Sequence, residues 1–117
     1  MAEVKRTYHK SGVLESESFE INGKKNGEYK RYYSNGQLYI IYSYIDDKIN
    51  GELKSYDENG KLTSICSYID GKIHGEYKYY YSNGQLWHIC SYIDNMIHGE
   101  YKRYHENGQL WGNLFIY

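Results

Sequence analysis

Glu28, Glu52, Glu76 and Glu100 stand at intervals of 24 residues, and each has a lysine two positions on: Lys30, Lys54, Lys78 and Lys102. Carboxylates are the usual material of general acid–base catalysis, but a catalytic carboxyl needs one environment that shifts its pKa. Four equivalent copies imply four equivalent environments, which is the opposite. On an extended chain residues i and i+2 share a face, so these pairs are expected to form solvated, weakly paired stripes. The same interval separates Cys66 from Cys90 and His74 from His98. If that interval is one rung of a sheet, about 10 Å, the two cysteines lie beyond the roughly 7 Å reach of a disulfide. They are read as two buried free thiols, consistent with a reducing compartment. Metal ligands must all sit about 2 Å from one ion, which residues a whole rung apart do not achieve. Asn26 and Asn50 also take the place of His74 and His98 in earlier copies, as a polar turn-side position would allow. His9, His88 and His105 have no repeated carboxylate or cysteine partner. No serine elbow, Walker-type loop or zinc spacing occurs, because the glycines recur as turn residues. The expectation is a chain with no catalytic residue, no metal site and no cofactor.

The elements that would position these residues follow from the interval itself. Gly27-Glu28-Tyr29-Lys30 returns from Gly51, Gly75 and Gly99, and Asn35-Gly36 returns at Asn59, Asn83 and Asn107. Counting back from Tyr32, Gly36 and Leu38 lands on Tyr8, Gly12 and Leu14, so the start of the chain is a worn copy. Residues 1–117 are read as one repeat domain, with a degenerate capping copy at 3–26. Full copies follow at 27–50, 51–74 and 75–98, and a partial copy at 99–117. Turn signals fall twice per copy. Asn83-Gly84 and Asp70-Gly71 both suit the two positive-φ positions of a type I′ turn. The stretches between them, such as 72–82 and 85–93, read as strands of about 30 Å. The chain holds 17 tyrosines and no proline, as strands nearly throughout would require.

The predicted fold is therefore all-β, an elongated single-layer antiparallel meander of about ten strands, on the order of 45 Å long. The glycine opening each copy falls inside a strand and predicts a bulge or a close backbone approach. Columns of Leu14/Leu38/Leu62/Leu86/Leu110, of Tyr8/Tyr32/Tyr56/Tyr80/Tyr104 and of Ile21/Ile45/Ile69/Ile93 are expected to bury surface between copies. Which side chains share a face is left open by the glycine.

Fourteen lysines and arginines against 15 aspartates and glutamates give a net charge of −1. That balance offers no basic face for nucleic acid and no polybasic tether for a membrane. The N-terminus has no apolar core for a signal peptide, so a cytoplasmic protein is expected.

The unit Gly75-Glu76-Tyr77-Lys78-Tyr79-Tyr80-Tyr81-Ser82-Asn83-Gly84-Gln85-Leu86, preceded by Asp70-Gly71-Lys72-Ile73-His74, resembles the MORN repeat (membrane occupation and recognition nexus) in its variant form. The resemblance covers residues 27 to 111 strongly and 3 to 26 weakly. It implies an array of β-hairpins used for protein–protein contacts, dimerisation and scaffolding, without catalysis. It also implies two alternatives: an antitoxin-like neutraliser of a partner protein, as bacterial relatives are often described, and a peripheral lipid-binding module. The missing basic patch argues against lipid. Such repeats are frequent in giant viruses and AT-rich bacteria, and a viral origin would place the protein in host cytoplasm.

Two columns vary between copies: Tyr39, Thr63, Trp87 and Trp111 in one, Tyr33, Asp57, Tyr81 and His105 in the other. Positions free to differ are not fixed by the rung. Tyr39, Trp87, Trp111, Tyr33, Tyr81 and His105 are therefore the expected contacts for a protein partner, since Tyr and Trp are common interface anchors. The last expected strand carries Leu110, Leu114, Phe115, Ile116 and Tyr117 with no lysine or glutamate to blunt it. Such an edge invites another strand. Self-association is expected there, most simply as a two-fold homodimer, or docking of a partner's strand.

Overall fold

The computed structural model describes residues 2–116. Its strands run in chain order as β1 (Ala2–Tyr8), β2 (Leu14–Ile21), β3 (Lys24–Lys25), β4 (Gly27–Tyr32), β5 (Leu38–Ile45), β6 (Lys48–Ile49) and β7 (Gly51–Tyr56). They continue as β8 (Leu62–Ile69), β9 (Lys72–Ile73), β10 (Gly75–Tyr80), β11 (Leu86–Ile93), β12 (Met96–Ile97), β13 (Gly99–Tyr104) and β14 (Leu110–Ile116). All belong to one open antiparallel sheet in which the ten longer strands follow one another as a meander, with β1 and β14 outermost. The expected all-β meander is present. The sheet measures 48 × 32 × 15 Å, the thickness of a single layer.

The four two-residue strands mark a departure from the reading above. Each copy's first strand, expected to be continuous through 72–82, is broken ahead of its glycine. Ile73 pairs with Tyr68 and Lys78 with Ile65, so two residues of β8 oppose four of the facing chain. The extra residues are absorbed where Gly75 takes a φ of 93°, a left-handed conformation that costs a side-chain-bearing residue roughly 1–2 kcal/mol. Gly27, Gly51 and Gly99 repeat it. The predicted bulge is there, and it lets the strand leave β8 to pair with β11.

The two turn types also differ, against the expectation that both are type I′. At Asp70-Gly71 both residues have positive φ, as type I′ requires, and Asn22-Gly23, Asp46-Asp47 and Asp94-Asn95 do the same. At Asn35-Gly36 the asparagine does not. Tyr33 N–H donates to Gln37 C=O and Gly36 N–H to Tyr33 C=O, both at 2.9 Å, which closes a three-residue loop ending in a left-handed glycine. Asn35 Oδ1 accepts the Gln37 N–H at 2.9 Å, a bond that favours this loop over the tighter turn. The loop shifts the ladder by one residue: Arg31 pairs with Ile40 but Tyr32 with Leu38, leaving Tyr39 as the bulged residue.

Cross-strand pairs assign the faces that the sequence left open. Tyr29/Tyr42, Leu53/Cys66 and Tyr77/Cys90 lie on one face, hereafter the aromatic face. Lys30/Ile41, Lys54/Ile65 and Lys78/Ile89 lie on the other, the charged face. Among the described residues the buried apolar side chains are Leu53, Cys66 and Cys90, in the middle of the aromatic face. The leucine and tyrosine columns are partly buried in the interior copies. The isoleucine column is not the buried row expected: Ile21, Ile45, Ile69 and Ile93 are 44–58% exposed, because they sit beside the type I′ turns at the rim of the charged face.

Candidate functional site

The variable column of Tyr39, Trp87 and Trp111 owes its placement to the bulge. Trp87 is skipped between the Tyr79/His88 and Tyr80/Leu86 pairs, and Trp111 between Arg103/Gly112 and Tyr104/Leu110. A bulged residue is unpaired in the ladder, so its side chain is aimed by its neighbours. Trp87 meets His88 edge-on at 4.9 Å and tilts against Tyr81 at 5.5 Å. Trp111 lies under the Arg103 guanidinium at 5.0 Å, a cation–π contact. Both partners, His88 and Arg103, belong to the aromatic face. The bulge thus turns the tryptophans toward that face while leaving them open, with Trp111 62% exposed, Trp87 37% and Tyr39 41%.

The second column behaves differently from the premise that it is not fixed by the rung. Tyr33 donates its hydroxyl to Tyr56 C=O at 2.8 Å, and Tyr81 donates to Tyr104 C=O at 2.6 Å. His9, in the same column of the first copy, places Nε2 2.9 Å from Tyr32 C=O. Asp57 folds back instead, accepting the Asn59 and Lys61 amides at 2.9 and 3.0 Å. His9, Tyr33 and Tyr81 thus fasten one copy to the next. The loop asparagines add a second clasp, as Asn35 Nδ2 reaches Glu58 C=O and Asn83 Nδ2 reaches Glu106 C=O, each at 2.9 Å.

The opposite end of each hairpin has its own clasp. Asp47 donates its amide to Lys25 C=O at 3.0 Å and accepts the Lys25 amide on Oδ1 at 2.8 Å. Asn95 does both with Ile73. These reciprocal bonds explain why an Asp and an Asn, rather than glycine, tolerate a φ of 71° there.

Aromatic rings form a feature that sequence reading missed. Tyr77 stacks on Tyr79 at 4.5 Å, Tyr79 on His88 at 4.1 Å, and His88 on Tyr101 at 5.5 Å, crossing three strands. His88 shares its column with Ile40, Ser64 and Gly112, so nothing periodic pointed to it. Burial and then the Arg103 charge push its pKa down. Beyond Tyr101 the stack stops at Gly112, whose missing side chain leaves a cavity of about 250 Å³ between Tyr101, Arg103, Trp111 and Leu114.

The residues with catalytic potential are placed as follows. The Glu/Lys pairs span 3.3–3.8 Å along the charged face, as partly exposed neighbours on one strand. Cys66 and Cys90 are both free and buried. Burial pushes the Cys66 thiol up to about 11 and raises that of Cys90, which disfavours the nucleophilic thiolate. Among the described residues no group of three or more His, Cys, Asp or Glu is placed to hold a metal ion. Among the described residues no helix is long and apolar enough to cross a membrane. At the C-terminal edge Leu110, Leu114 and Phe115 are 53–60% exposed and Ile116 is partly buried, while Tyr117 lies outside the described residues.

No curated protein matches the chain. One similar solved structure is "Crystal structure of GtfA/B complex bound to UDP and GlcNAc", at 10% identity and a TM-score of 0.31. The match covers 96% of this chain and 24% of that one, and at this score it carries no argument. The family model for the MORN repeat variant matches residues 25–46, 49–70, 73–94 and 97–115, which keep the 24-residue step. Those four matches take in the hairpins from β4 to β14, and the chain belongs to the MORN-repeat variant family.

Proposed function

We propose that this protein is a non-catalytic interaction module that binds a partner protein with the aromatic face around its bulged residues and self-associates along its β14 edge. Repeats of this family are in general protein- or lipid-binding and non-enzymatic. The observation that carries the reading is the exposure of Trp87 and Trp111 at positions the ladder does not use. Large apolar rings left open on a thin sheet are the usual anchors of a protein interface. Tyr39 joins them from the second copy. Tyr33 and Tyr81 contribute ring edges, their hydroxyls being committed to the next copy, and His105 lies on the same loop as Trp111's hairpin. With no basic patch and a net charge of −1, a protein surface suits this face better than an anionic lipid one.

The test is affinity capture from a cell lysate with the wild-type chain and with Trp87→Ala/Trp111→Ala, the fold being checked by far-ultraviolet circular dichroism. A set of proteins retained by wild type and lost by the double variant supports the reading. Identical capture by both overturns it.

A further inference from the structure

The two outer strands of the sheet are complementary halves of a junction that the interior already uses four times. At each interior junction the second strand of one copy pairs with the first strand of the next, as in Ser16/Arg31, Ile40/Ser55, Ser64/Tyr79 and His88/Arg103. One step further along the repeat, the position after His88 is Gly112, on the free side of β14. The first-strand equivalent of Arg103 in the first copy is Thr7, on the free side of β1.

Side chains are cut apart in the same way. Tyr32, Tyr56, Tyr80 and Tyr104 are all partly buried, while Tyr8 is 59% exposed. Leu14, Leu38, Leu62 and Leu86 are partly buried, while Leu110 is 53% exposed. Leu62 and Tyr80 line one groove, which places the leucine of one copy beside the tyrosine of the next. Each column thus has one open member, and the two open members sit on opposite edges.

The loop clasp repeats the pattern. His9 Nε2 bonds to Tyr32 C=O at 2.9 Å, and His105 is the histidine of that column in the last copy. The carbonyl it would need is the equivalent of Tyr8, again on β1.

We infer that β14 accepts the β1 strand of a second copy, so that molecules join head to tail and the sheet continues in its own register. This rests on the self-association reading above and changes its symmetry. Gly112 would face Thr7 and Asn113 would face Arg6, placing Thr7 at the cavity beside Tyr101. Leu110 would cover Tyr8, and His105 would donate to the Tyr8 carbonyl. A two-fold pairing of β14 with β14 covers Leu110 but leaves Tyr8 in water and gives His105 no such carbonyl. A head-to-tail contact does not close on itself, so assembly proceeds beyond a dimer.

Sedimentation velocity of the full chain, from low to high micromolar concentration, tests this with Tyr8→Lys and Leu110→Lys, folds being matched by circular dichroism. Both sites are exposed, so neither change disturbs a packed core. Wild type is expected to grow past dimer mass with concentration, and each variant alone to remain monomeric. Mixed in equal amounts, the variants are expected to form a 1:1 dimer and nothing larger, because each retains the edge the other has lost. His105→Ala is expected to weaken association about five-fold, the worth of one ordinary hydrogen bond. A Tyr8→Lys variant that still dimerises alone, or a mixture that stays monomeric, overturns the head-to-tail geometry. A wild-type chain that is monomeric at high micromolar concentration removes self-association altogether, while loss of captured partners on Trp87→Ala/Trp111→Ala would leave the protein-binding reading standing.

Discussion

The aromatic and charged faces of this sheet hang on the same backbone but hold the copies together by different physics. On the aromatic face, rings stack across strand and copy boundaries, as Tyr77, Tyr79, His88 and Tyr101 do, and the buried Leu53, Cys66 and Cys90 lie in the middle of it. On the charged face each central isoleucine lies between two lysines: Ile41 between Lys30 and Lys54, Ile65 between Lys54 and Lys78, Ile89 between Lys78 and Lys102. The first face excludes water with wide, rigid rings. The second uses flexible stems whose charged heads stay solvated. A single-layer protein has no opposing sheet to bury against, and the comparison shows it using one side as a thin core and the other as a cover.

If that division is right, the largest loss comes from the aromatic face. Tyr77→Ala removes the ring that stacks on Tyr79 and packs near Tyr92 at 5.9 Å. It is expected to cost about 3 kcal/mol, the lower end for large-to-small changes because Tyr77 is only partly buried. Urea unfolding measures it, and a loss below about 1 kcal/mol would show that the rings are ornament on a backbone-held sheet. Gly75→Ala comes next. Nothing lies within 4 Å of the added methyl, so its cost is conformational alone, about 1–2 kcal/mol for a φ of 93°. It touches neither face and so serves as a ruler for both.

The third difference appears on titration. Burial holds the His88 pKa below its ordinary 6.5, so in acid the unfolded chain takes up a proton that the folded chain resists. Stability is then whole above about pH 6.5 and falls as the pH drops toward the folded pKa. Thermal melts between about pH 7.5 and 5.5 are expected to show this decline, and His88→Phe to flatten it. Burial raises the phenols of Tyr42 and Tyr77, so in alkali the unfolded chain releases protons first. Stability is lost as the pH rises through the ordinary tyrosine value of 10.

How much of this was legible beforehand depends on whether a feature is local to one copy. Hairpins, meander, the glycine bulge and the Glu/Lys stripe all follow from the 24-residue pattern, because each copy restates them. The loop at Asn35-Gly36 was misread because the same dipeptide serves two turn geometries, and Asn35 Oδ1 decides between them by bonding Gln37. The role of Tyr33 and Tyr81 was hidden for another reason. Variation between copies suggests freedom from the rung, yet His9, Tyr33 and Tyr81 perform one task with different chemistry, each reaching a carbonyl 23 residues on. Exposure of the tryptophans followed from a one-residue ladder shift that no side-chain pattern records.

The smallest effect belongs to the charged face, and it separates the two things a lysine does there. Lys78 Nζ lies 3.8 Å from Glu76 Oε1, and their side chains are 38% and 61% exposed. Such a pair is worth about 0.2–0.5 kcal/mol and is screened by salt. The stem of Lys78, by contrast, lies beside Ile65 and Ile89, and sheltering them does not depend on charge. Lys78→Met keeps a stem of similar length and deletes the charge, so it is expected to change stability by under about 0.5 kcal/mol. That difference should vanish in about 1 M salt. Lys78→Ala deletes both and is expected to cost about 1 kcal/mol at any ionic strength. If Met proves as damaging as Ala, and salt removes the loss in both, the charged face is held by its ion pairs and the contrast between the two sides of the sheet fails.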